Sequence, residues 1–252
     1  MQQSQTSSSS LQPLVAKLTY RVNLSEEDRA AILALPFTVR PMERGQFLVR
    51  ERDVATHSCV MLSGYCVRSK TTATGERQIV AIHMKGEVVD LQNSLLKIAD
   101  HSAQMLTSGK VAMIPRNAVI QLTLDKPTIA HAMWIDTLVD GSIFREWITN
   151  VGRRDARTRM AHLLCEFAVR LRVAGLGRDT HYELPMTQEQ LADATGLTPV
   201  HVNRTIKGLE KEGLIDRPNP RSICIGDWRK LAEVGEFDTN YLHLREDEAV
   251  LR

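Results

Sequence analysis

The chain has 252 residues, 43% of them hydrophobic and 25% charged, which suits a globular protein with room for two separate cores and excludes a disordered or fibrous one. A formal charge of +2 permits a nucleic-acid partner, but only local clusters of charge can identify one. Cys59, Cys66, Cys165 and Cys224 are scattered with no C-x-x-C pair, and neither an apolar leader nor a run of roughly eighteen apolar residues occurs, so reduced thiols, a cytoplasmic setting and no membrane span are expected.

Residues 1–12 begin Gln/Ser-rich and read as a disordered tail. From Pro13 to Leu35 apolar and charged positions alternate at helical spacing, and Ser25 with Glu26 and Glu27 opens a helix at its favourable dipole end. Strand patterns follow at 46–50, 58–62, 65–70, 77–83 and 111–114, with Gly45, Gly64, Gly75 and Gly86 where the chain must turn. Short, evenly spaced strands between Pro36 and Pro115 predict a small barrel or roll. After a turn at Asp125 to Pro127, residues 128–151 are helical and apolar on too many faces for a surface helix, so this helix must be covered on two sides. Within it Asp136 and Asp140 repel modestly at i, i+4 and read as solvated or register-setting, with a switch role as the alternative, while Gly141 weakens the helix. Residues 152–155 form a polar break, and Asp155 caps a helix from Ala156 to about Val173 whose inner face is Met160, Leu163, Leu164, Phe167 and Leu171.

The stretch from Met186 to Ile215 predicts two short helices joined by a tight turn. Thr187 and Gln190 form a capping box, and Gly196 supplies the left-handed residue that ends the first helix. Thr198 then acts as N-cap with Pro199 at the first helical position. Val202, Ile206 and Leu209 make one apolar face, while Thr198, His201, Asn203, Arg204, Lys207 and Lys211 lie mainly off it. Such a helix fits the major groove of DNA, although a helical hairpin with a solvated polar face shares the spacing. Gly213 ends the helix, and the turn from Arg217 to Arg221 joins two strands into a wing. A short helix at 227–234 and a charged tail follow.

The pattern T-x-x-Q-L-A-x-x-x-G-L-T-x-x-x-V-x-R in this stretch resembles the helix-turn-helix of the Crp/Fnr family of bacterial transcription regulators. The segments VMLSGYCV and TGERQIVAIHMKGEVV resemble that family's roll. The resemblance implies an α+β protein: a jelly-roll-like double-stranded beta roll at 13–127, a dimerisation helix at 128–151, a hinge at 152–155 and a winged helix-turn-helix at 156–252. It further implies a homodimer with recognition helices about 34 Å apart on a pseudo-palindromic double-stranded site, and contact with RNA polymerase. Arg204 is expected to read a guanine. Thr187, Gln188 and Thr198 would hold phosphates, His201 a phosphate or base edge, and Arg221 the flanking backbone, with Pro199 and Asn203 beside them. Val200 stands where the family often has glutamate, so it can touch a thymine methyl but cannot accept from cytosine.

In relatives that bind a cyclic nucleotide a Gly-Glu pair holds the ribose and an Arg-Ser pair the phosphate. The corresponding positions here are Asp90, Leu91 and His101, Ser102, and Phe144 and Arg145 fall where the base is bound. Losing the arginine that forks onto a buried phosphate costs about 2 to 5 kcal/mol, so cyclic AMP is disfavoured and the effector is unknown. Candidates are an organic molecule, an anion near His101, or none. No clustered N-terminal cysteines suit an iron-sulfur cluster. His57, Cys59, Cys66 and His83 could gather around a metal or haem, against the plainer reading of core cysteines and surface histidines. No nucleophile, zinc or phosphate-loop signature marks an enzyme. A protein-docking winged helix is the alternative to a DNA-binding one.

Overall fold

The computed structural model describes residues 11–177 and 180–245. The first ten residues of the expected tail, and the chain beyond residue 245, lie outside that range. Leu11 and Gln12 do not belong to a tail: Gln12 opens the first helix, and Leu11 is fully buried because it completes that helix's apolar face. The chain divides into two compact units, Met1–Asp140 and Gly141–Arg252.

In the first unit, the stretch of helical spacing from Pro13 to Leu35 forms two helices, α1 (Gln12–Arg21) and α2 (Glu26–Leu33). Ser25 opens the second of them, as its sequence indicates: its hydroxyl accepts from Asp28 N at 3.1 Å while Asp28 accepts from Ser25 N at 3.2 Å. Strands β1 (Thr38–Met42), β2 (Phe47–Val49), β3 (His57–Ser63), β4 (Cys66–Thr71), β5 (Arg77–His83), β6 (Ser102–Met105) and β7 (Gly109–Pro115) form two antiparallel sheets, ordered β1-β7-β3 and β2-β6-β4-β5. Five of the seven follow the sequence pattern. β1 escaped it because Pro41 argues against a strand, and Pro41 is tolerated because β1 is an edge.

Met42, Cys59, Met61, Cys66, Ala103 and Met105 fill one core of this unit. A second core joins α1 and α2 to β3, β7, helix α3 (Arg116–Asp125) and the start of α4 (Pro127–Arg153) through Leu14, Leu18, Ile32, Val60, Ile114 and Ile129. Asp136 and Asp140 are not simply solvated. Arg21 Nε donates to Asp136 at 3.1 Å, Lys17 lies 3.6 Å from it, and Arg68 of the roll donates to Asp140 at 2.6 Å. Each carboxylate of the pair has its own cation, which removes the cost of placing them one turn apart.

Helix α4 runs through the expected hinge to Arg153, so only Arg154 and Asp155 separate it from α5 (Ala156–Val173). Gly152 lowers helix propensity but breaks no hydrogen bond, and Asp155 ends the join by accepting from Thr158 N at 2.9 Å. The second unit continues with β8 (His181–Glu183), α6 (Gln188–Thr195), α7 (Pro199–Lys211), β9 (Ile215–Asp216), β10 (Ser222–Ile225) and α8 (Trp228–Val234), and the sheet order is β8-β10-β9. Among the described residues no helix is long and apolar enough to cross a membrane.

Candidate nucleic-acid interface

The two helices of the interface are set by their end residues. Thr187 Oγ1 accepts from Gln190 N at 3.2 Å, and Gln190 Oε1 accepts from Thr187 N at 2.9 Å. Gly196 closes α6 at φ 65°, a conformation other residues resist. Thr198 restarts the chain as N-cap, its hydroxyl accepting from His201 N at 3.2 Å, with Pro199 in the first turn. Both threonines spend an acceptor lone pair on capping, which leaves each O–H free to donate to a phosphate oxygen.

Val202, Ile206 and Leu209 are 0%, 1% and 0% exposed, so one side of α7 is sealed against the domain. The other side presents Val200, Arg204, Lys207 and Lys211, all exposed, and Asn203 and His201 are half-buried along its edges. Among the described residues neither Arg204 nor Lys207 has an ion-pair partner. Two cations held on a rigid helix without a carboxylate partner can meet phosphate or the acceptor edge of guanine at no cost in broken pairs.

Arg221 sits exposed in the turn between β9 and β10, where Asn219 Oδ1 accepts from the backbone N–H of Arg221 and of Ser222, each at 2.9 Å. Thr187 and Gln188 are exposed at the start of α6. Two supporting residues carried no sequence signal. Arg159 Nη1 donates to the carbonyl of Thr195 at 2.9 Å, beside the Gly196 turn, and Arg157 forks onto Glu212 at the end of α7. Their partners lie 36 and 55 residues away, beyond any local spacing rule.

A cyclic nucleotide-binding domain model matches residues 39–126, and a Crp-like helix-turn-helix domain model matches residues 158–234. The chain is 32% identical to the "Probable transcriptional regulator flp" of Lacticaseibacillus casei over 197 residues, 77% of this chain and 86% of that one. It belongs to the Crp/Fnr family. As a Crp/Fnr protein it shares 24% identity with the transcriptional activator FnrL of Cereibacter sphaeroides, over 80% of its own length and 82% of the relative's. The structure of FixK2 from Bradyrhizobium japonicum superposes with a TM-score of 0.74 at 22% identity, covering 79% of this chain and 98% of that one, and so carries the same fold. This Crp/Fnr chain is accordingly a helix-turn-helix transcription regulator like its bacterial relatives.

The residues expected around an effector in this Crp/Fnr roll are mostly committed to the fold. Asp90 is 1% exposed and accepts from Cys59 N at 2.7 Å and from Asn93 Nδ2 at 3.3 Å. Burial pushes its carboxyl pKa up, against the pull of the Cys59 N–H and Arg68. Leu91 packs against the helical core. His101 is buried with Nδ1 2.7 Å from Asp100 Oδ1, and Ser102 Oγ accepts from Glu51 N at 3.0 Å. Phe144, half-buried, and Arg145, exposed, belong to the other unit.

Cys59 and Cys66 are core residues whose thiol pKa values burial drives up. His83, expected at the surface, is 3% exposed opposite Cys66 in the β4–β5 ladder. It is tolerated there uncharged, since burial and then Arg68 lower its pKa. Among the described residues no group of His, Cys, Asp and Glu is arranged to hold a metal ion.

Proposed function

We propose that this protein is a cytoplasmic regulator that binds a pseudo-palindromic promoter site as a homodimer and contacts RNA polymerase there. The observation that carries the reading is the exposed Arg204, Lys207 and Lys211 stripe on a helix whose opposite face is closed. Arg204 reads guanine N7 and O6 in each half-site and Val200, 81% exposed, touches a thymine methyl. Lys207, Thr187, Gln188, Thr198 and Arg221 hold backbone phosphates, with His201 and Asn203 at the groove edge and Pro199 holding the helix start in place.

Support for a homodimer comes from α4. Trp134, Leu138, Gly141, Arg145, Ile148 and Gly152 recur at alternating spacings of four and three and are half-buried or exposed. That is the seam of a two-stranded coil, with Arg145 as a polar residue that sets register. Cyclic AMP is not the effector on this reading, because His101 in place of the phosphate-binding arginine is already engaged by Asp100.

Titration of duplexes differing in one half-site base, at several salt concentrations, tests the proposal. Arg204→Ala should lose about 1 to 3 kcal/mol of discrimination at one position, while Lys207→Ala should reduce the salt slope by about one. Unchanged base preference in Arg204→Ala would remove that residue from base readout, and salt-independent binding would favour a protein partner instead.

A further inference from the structure

Within Gly141–Arg252, α4 and α5 are joined by Arg154 and Asp155 alone, and these two residues are held from several sides. Arg154 Nη2 lies 2.7 Å from Glu146 Oε1 of α4, and Arg154 Nε donates to Glu236 Oε2 at 3.2 Å. The Arg154 carbonyl accepts from Arg159 Nε at 2.9 Å. That same guanidinium reaches Thr195 O, so one side chain ties the joint to the turn between α6 and α7.

Behind the joint lies a buried polar junction. Glu166, 1% exposed, accepts from Trp147 Nε1 of α4 at 3.0 and 3.1 Å, from Arg170 at 3.2 Å and from the Tyr241 hydroxyl at 2.8 Å. His162 of α5 is bonded to Gly235 O at 3.0 Å through Nδ1, and its Nε2 lies 3.1 Å from the Tyr241 oxygen. Phe237 meets His162 edge-on at 5.3 Å between ring centroids. Gly235 lies directly against the α5 backbone: a Cβ there would come within 2.7 Å of His162 N and 3.0 Å of the Ala161 carbonyl carbon. The helix-turn-helix model ends at residue 234, so the segment making these contacts follows the matched part of the chain.

We propose that the segment 235–241 is a strap that fixes the angle between α4 and α5, and that Tyr241, Glu166 and Arg154 are positioning residues for the recognition helix α7. The positioning role rests on the DNA-binding reading; the strap itself does not. The buried carboxylate of α5 is bonded to α4 through Trp147 and to the strap through Tyr241, and any rotation at the two-residue joint must break bonds to a charge that has lost its water. In a dimer on DNA an angular error there becomes a displacement of Arg204 along the groove, so the strap sets which half-site spacing is accepted.

Two readouts on the full chain test this, using Tyr241→Phe, which keeps the ring and removes the hydroxyl, and Phe237→Ala. The first is the rate of tryptic cleavage after Arg153 and Arg154, read by mass spectrometry. Cleavage follows the population of the open joint, and losing one bond to a buried charge should raise it by about tenfold. The second is the affinity ratio between a duplex selected from a random pool by the wild-type protein and the same duplex with one base pair added or removed between half-sites. That ratio should narrow in both variants while discrimination at the Arg204 position is kept, a pattern that general destabilisation does not produce.

Should Phe237→Ala lose its folded circular dichroism, the isosteric Tyr241→Phe carries the test. Cleavage at wild-type rate in Tyr241→Phe overturns the strap. Faster cleavage with an unchanged spacing ratio overturns the positioning role alone. A wild-type protein that selects no duplex overturns the DNA-binding reading and with it the positioning role, leaving the strap to be decided by cleavage.

Discussion

Replacing Ile148 by alanine tests the proposed association of two chains separately from the folding of one. Ile148 is 71% exposed, so its side chain contributes little to the fold of the single chain, and surface substitutions of this kind change stability by about 0.5 kcal/mol or less. Complete burial of an isoleucine is worth about 1.5 to 3 kcal/mol, of which a partner helix covering the exposed part would recover about 1 to 2. Two-fold symmetry counts each residue twice, giving about 2 to 4 kcal/mol per dimer and a dissociation constant raised by roughly 30- to 1,000-fold. Sedimentation equilibrium across a range of concentrations measures the constant, and urea unfolding at fixed concentration checks the single chain. The argument fails if Ile148→Ala dimerises as tightly as wild type, since the α4 seam would then not be where the chains meet. Trp134, 65% exposed on the same proposed seam, should behave alike.

Other perturbations bear on separate parts of the molecule. Thr198→Ala removes the cap of α7 and should lower stability by about 1 kcal/mol in a thermal melt, whereas Thr198→Ser should leave it near wild type. His83 is uncharged when folded because burial and Arg68 depress its pKa, so the unfolded chain takes up its proton first as pH falls below about 6.5 and stability declines from there downward. Urea titrations between neutral and mildly acidic pH should show a shallower decline in His83→Asn than in wild type. Among the cysteines, Cys224 is half-exposed with its thiol 2.8 Å from His181 Nδ1, and the other three are buried. Iodoacetamide under native conditions should label Cys224 first, as peptide mass mapping will show, and equal labelling of Cys165 would contradict its burial.

The elements that could be read directly are those specified by residues three or four apart. Thr187 with Gln190, Gly196, Thr198 with Pro199, and Asp155 each settle their own few residues of backbone, and α5, α6 and α7 follow almost to the residue. Candidate interface residues were legible for the same reason, since the face opposite Val202, Ile206 and Leu209 is determined by helical periodicity. Helix α3 was passed over because its residues 116–125 have no capping side chain and little periodicity, and it is held by packing on the roll.

Local chemistry thus specified where the chain turns helical and which side of each helix is polar, because those preferences act between residues already adjacent. Which distant groups meet was settled by folding. β8 exists because Tyr182 packs inward and donates to Leu164 O, and β6 because β2 and β4 flank it. Asp90 became an anchor for the Cys59 backbone, the paired aspartates of α4 acquired Arg21 and Arg68, and the charged tail yielded Tyr241 to Glu166. Each of these bonds links residues far apart in the chain, and its strength depends on exclusion of water that only the assembled core provides.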